Sequence, residues 1–156
     1  MDVSTRLGTI LYALLIAAVL QLVPAYGGWM DWKPNFILVV VMVSMINQPD
    51  QFGVIFAASV GLFADAVFGT TVGHFMLVFT LCGTILVLLS RWTRYFALLY
   101  RLLMVFGVSL FATFTQTVLI NLQGFPIALD YLPGMALMSA LMLPLVERFI
   151  GVSREL

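Results

Sequence analysis

Gly61-Leu62-Phe63-Ala64-Asp65-Ala66-Val67-Phe68-Gly69-Thr70-Thr71-Val72-Gly73-His74-Phe75 sets one carboxylate, Asp65, inside an otherwise apolar run of helix length. An ionised group at membrane depth costs several kcal/mol unless it is paired, hydrated or protonated. Asp65 is therefore read as a polar site that faces protein rather than lipid. Four-residue spacing surrounds it, since Gly53, Ala57, Gly61, Asp65 and Gly69 recur at every fourth position. On a 3.6-residue helix such a row drifts slowly around the cylinder and forms a slanted groove of small residues, into which another helix can pack closely.

The rest of the chain supplies the setting. Of its 156 residues, 63% are hydrophobic and only 9% charged, which points to an all-α membrane protein built as one integral domain. Net charge is zero and the few basic residues are scattered, which argues against a nucleic-acid surface. Cys82 is the only cysteine, so there is no disulfide framework and no cysteine metal site, and it reads as a packing residue. The first apolar run follows Arg6, as a signal peptide would. It is as long as a span, however, and no Ala-x-Ala site follows it, so a retained first span is expected.

Six spans are expected, at about 8–23, 34–48, 51–68, 74–90, 98–121 and 131–149. Pro24 closes the first. Pro34 suits the first turn of the second, where a missing N–H costs nothing. That second span is only about 21 Å long at 1.5 Å per residue, short of the ~30 Å hydrocarbon core, so it is either packed within protein or fails to cross. Gly124-Phe125-Pro126 breaks the fifth span from the sixth, and Trp29, Trp32 and Trp92 suit the membrane interface.

Lys and Arg near span ends favour the cytoplasmic side. Six spans with both termini inside put Arg6, Arg91, Arg94, Arg101, Arg148 and Arg154 in the cytoplasm and leave only Lys33 outside. In this frame Gln21, Asn35, Asp65, His74, Gln116 and Asn121 fall in the outer half of their spans. The inner half carries weaker groups such as Ser44, Thr84 and Ser109. That asymmetry suggests a polar pocket or contact surface open to the outside.

Asp65 has two partners at matching depth, Lys33 and His74, and a structural ion pair with either is preferred to a proton relay, because no ladder of ionisable groups accompanies it. Catalysis needs a convergent nucleophile, base and electrostatic group. One His, one Cys and one buried Asp do not supply them, so no catalytic, cofactor-binding or metal residues are assigned. Arg91, Arg94 and Arg101 read first as topology determinants and second as a site for anionic lipid or an acidic partner.

Length, six spans, Trp32-Lys33-Pro34-Asn35-Phe36 at the entry to span two, and the series Gly61, Asp65, Gly69, Gly73 together resemble the MreD family of rod shape-determining membrane proteins. Lys33 stands where Arg is common in relatives, which keeps the charge but weakens bidentate recognition of a carboxylate. The resemblance implies a non-enzymatic scaffold in the bacterial inner membrane, without cofactors, that binds MreC. It would also connect MreB filaments with RodA and a class B penicillin-binding transpeptidase. It also implies a fold similar to the substrate-binding subunits of energy-coupling-factor transporters. From this comes the alternative of a small-molecule or lipid-capture subunit, with Asp65, His74, Asn35 and Gln116 lining its pocket. In the scaffold reading the groove of Gly53, Ala57, Gly61 and Gly69 is a docking surface for the MreC helix.

Overall fold

A computed structural model describes residues 3–24, 26–27, 32–48, 51–93, 98–124 and 132–150. These form α1 (Val3–Leu22), α2 (Phe36–Asn47), α3 (Val54–Phe68), α4 (His74–Thr93), α5 (Leu98–Leu122), α6 (Leu132–Leu141) and α7 (Leu143–Phe149). The last two are one rod interrupted at Met142. Pro144, in the first turn of α7, has no N–H to offer the carbonyl of Ala140, so the helical ladder loses a rung there. Bonds from Met142 N to Met138 O (3.1 Å) and from Val146 N to Met142 O (3.0 Å) carry the helix across the break.

The bundle is arranged around α2. Every residue from Ile37 to Ile46 is buried, and all six other helices pack against this one. Its sequence, Phe-Ile-Leu-Val-Val-Val-Met-Val-Ser-Met-Ile-Asn, has no polar face, and a helix apolar all round belongs inside. With 12 residues it is about 18 Å long. The shortness expected from the sequence is thus matched by full enclosure in protein. The other helices have one buried side and one exposed apolar side, as in Leu11, Tyr12, Leu15 and Val19 of α1 or Leu103, Phe111 and Phe114 of α5. An apolar exterior this extensive is suited to lipid.

Helices α5, from Leu99 to Leu122, and α6–α7, from Leu132 to Phe149, are long and apolar enough to cross a membrane. The apolar parts of the other four are shorter, at Leu7–Leu22, Phe36–Asn47, Val54–Phe68 and His74–Leu89. Two starts differ from expectation. Helix α2 begins after Asn35, whose side chain caps it by accepting from Leu38 N, so Pro34 lies outside the helix rather than in its first turn. Helix α3 begins after Gly53, because Gln51 and Phe52 are held in a turn by hydrogen bonds to Gln48 O.

The tightest helix pair is α3 against α4. A Cβ at Gly61 would lie 2.6 Å from Met76 Cα and 2.8 Å from Phe75 O. Facing it further along, a Cβ at Gly83 would lie 2.8 Å from the Ala57 side chain. The small-residue groove is therefore filled by the chain's own α4, which corrects its expected role as a partner surface. Gly53 and Gly69 are not in the groove at all. Gly53 is the N-cap of α3, and Gly69 ends that helix in the left-handed region (φ 61°), with open space around both.

Candidate functional site

Asp65 occupies the last turn of α3 and is 2% exposed. Its Oδ1 accepts from Thr70 Oγ1 (2.8 Å) and Phe75 N (2.8 Å), and its Oδ2 from Gly73 N (2.9 Å) and Met76 N (3.3 Å). The acceptor lies where the first turn of α4 presents amides that lack helical partners, and the positive end of the helix dipole adds to the attraction. The carbonyl of the same residue receives Gly69 N and Thr70 N, closing the end of α3. One residue thus terminates one helix and starts the next. Four donors satisfy the carboxylate, and all four are uncharged.

The expected ion pairs of Asp65 with Lys33 or His74 are absent among its described hydrogen bonds. Lys33 points to another helix end: Nζ donates to Gln21 O (2.6 Å) and Val23 O (2.5 Å), covering carbonyls that α1 leaves open at its C-terminus. Burial lowers its amine below the usual lysine value. His74 is buried as the first residue of α4, its backbone N–H donating to Thr71 O (3.0 Å) and its ring edge-on to Phe75 with centroids 5.2 Å apart. Asn35 is engaged twice, since its side chain caps α2 and its N–H donates to Ser139 Oγ (3.2 Å) on α6. The hydroxyl of Ser139 in turn donates to Met135 O (2.8 Å). Gln116 stands apart, with Nε2 buried and unpartnered.

Two further participants carry no motif in the sequence. Gln21 Oε1 accepts from Phe36 N (3.1 Å), so the end of α1 also caps the start of α2. Gln123 Nε2 donates to Thr71 Oγ1 (3.2 Å), which ties the end of α5 to the α3–α4 turn. The polar residues of this end therefore do not converge on one pocket. They form a set of helix-end ties, centred on Asp65 on one side and on Lys33, Asn35 and Gln21 on the other.

At the opposite end Arg101, 8% exposed, pairs with Glu147 of α7 and donates to Asn47 Oδ1 (3.0 Å) at the end of α2. This corrects the second of its two readings, a lipid- or partner-facing cation, and leaves the first, a topology determinant, untouched. Its guanidinium is turned into the bundle because an acid and an amide acceptor lie there, and sequence spacing gave no hint of either. Arg94, Arg154 and Trp29 lie outside the described residues, as do the side chains of Arg6, Arg91 and Trp92. Among the described residues no group of three His, Cys, Asp or Glu side chains could hold a metal.

A family model described as rod shape-determining protein MreD matches residues 2–152. The chain belongs to the MreD family. It is a component of a shape-determining system, and the apolar helical bundle fits the family's place in the membrane. No curated protein and no solved structure matches the chain. The two stretches that carry the MreD resemblance acquire a physical reading from the geometry. Lys33-Pro34-Asn35 joins the end of α1 to the start of α2, and Asp65 with Gly69 and Gly73 joins α3 to α4.

Proposed function

We propose that this MreD-family chain is a non-enzymatic scaffold of the bacterial elongation machinery. It crosses the inner membrane six times with both termini cytoplasmic and binds the transmembrane helix of MreC. In the same complex it helps organise peptidoglycan synthesis with MreB, RodA and a class B penicillin-binding transpeptidase. The observation that carries the reading is an apolar cleft of about 460 Å³ between α1 and α3, lined by Leu11, Leu14, Leu15, Phe56, Val60 and Phe63 with Ser59. With the glycine groove filled by α4, this cleft remains open, and its size suits several side chains of an incoming helix. Leu11, Leu15 and Phe63 are exposed, so a partner would reach them without unfolding the bundle.

Ser59→Trp tests this. Ser59 is exposed, so the larger side chain fills the cleft and not the core. Co-purification with MreC should fall at least about tenfold, the effect of losing 1.4 kcal/mol. Unchanged co-purification of a normally inserted variant sinks the cleft as the docking site.

A second reading, a ligand-capture subunit with the energy-coupling-factor fold, is favoured by the unpartnered Nε2 of Gln116 alone. Gln116→Leu should then abolish retention of a small molecule by the purified chain. If native mass spectrometry finds nothing retained by the unaltered chain, that reading fails.

A further inference from the structure

A second apolar cleft lies on the other side of α1, against α2 and α7. It holds about 120 Å³ and is lined chiefly by Ala13, Ala17, Phe36, Val40, Val146 and Phe149. An engineered apolar cavity of ~150 Å³ takes one benzene. The cleft is therefore too small for a helix and sized for a few carbons of a chain. Its mouth is open, since Leu20, Leu145 and Phe149 on its rim are 44%, 63% and 51% exposed.

Charge distinguishes one end of this cleft. Arg148 is exposed and lies one turn from Leu145 at the C-terminal end of α7, and its guanidinium has no partner among the described residues. The neighbouring acid, Glu147, is already taken by Arg101, so it does not offset Arg148.

We infer that the α1–α2–α7 cleft binds one acyl chain of an anionic phospholipid, with its headgroup phosphate on Arg148. The apolar walls recognise the chain, and Arg148, without a partner among the described residues, selects the negative charge at the end where lipid headgroups lie. The inference rests on the membrane reading of the bundle but not on the partner. The α1–α3 cleft uses Leu11, Leu14 and Leu15, whereas this one uses Ala13 and Ala17, so the two can fail separately.

The test offers the full-length chain, reconstituted with an equimolar mixture of phosphatidylglycerol and phosphatidylethanolamine, to native mass spectrometry after mild extraction. One phosphatidylglycerol should remain bound in preference to phosphatidylethanolamine. Arg148→Gln should lower that preference about fivefold, the worth of one basic residue beside an anionic surface. Leu145→Trp, a change at an exposed rim position, should block the mouth and remove the retained lipid while leaving MreC co-purification unchanged. Equal retention of the two lipids by the unaltered chain, undiminished retention in Leu145→Trp, or an unchanged preference in Arg148→Gln would each overturn the assignment.

Discussion

Asp65 accepts four hydrogen bonds with two oxygens, and three of the donors are backbone amides that no side-chain substitution can remove. Asp65→Asn replaces one acceptor oxygen by an NH2 group that confronts N–H donors. A hydrogen bond to a charged group contributes ~1.5–3 kcal/mol, so the variant should lose about 3 kcal/mol in detergent unfolding. A melting curve like that of the unaltered chain would mean that Asp65 does not organise the α3–α4 turn. At this scale the sequence was half legible. An acid in an apolar run announced a satisfied polar group, but its partners were backbone amides, which every residue possesses and no motif marks. Lys33 and His74 were the visible candidates because they carry charge. Gln21 and Ser139 do their capping with uncharged side-chain oxygens, and such residues are common enough that neither stood out.

Between elements, contact distance sorts the glycines. Gly61 touches α4 backbone, which cannot swing aside as a side chain can. Gly61→Ala should therefore destabilise the bundle by about 1–3 kcal/mol, the cost of overpacking a close contact. Gly107 sits in the middle of α5 with open space around it, and Gly107→Ala should stabilise by up to about 1 kcal/mol through helix propensity. The pair is measured by parallel thermal unfolding, and a shift of the same sign in both would contradict the packing argument. The four-residue spacing correctly marked a surface for close helix approach. What it left open was whose helix, because a small-residue row is equally good for an internal neighbour and a foreign one. Gly53 and Gly69 fitted the spacing only because the 15 residues of α3 happen to set its two caps a multiple of four apart.

For the whole molecule, hydrophobic runs and breakers were enough to place the helices, and the shortness of the second span left two possibilities, enclosure in protein or failure to cross, of which the bundle shows the enclosure. The tie that holds α2, α5 and α7 together was not legible, since Arg101 and Glu147 are 46 residues apart and each looked like an ordinary charge at a span end. Removing one member of such a buried pair strands the other. Arg101→Gln or Glu147→Gln alone should cost about 3–5 kcal/mol, whereas the double replacement by Met should recover most of that loss. The experiment is a double-mutant cycle read by thermal unfolding, and additive single effects would show that the pair is not coupled.

The position of Glu147 also bears on the order in which the chain is made. Arg101 leaves the ribosome well ahead of its acid, and α2, already complete by residue 47, keeps one flank uncovered until α7 exists. A ribosome that stops short of residue 143 releases a protein with its central helix exposed and a cation committed to a partner never synthesised.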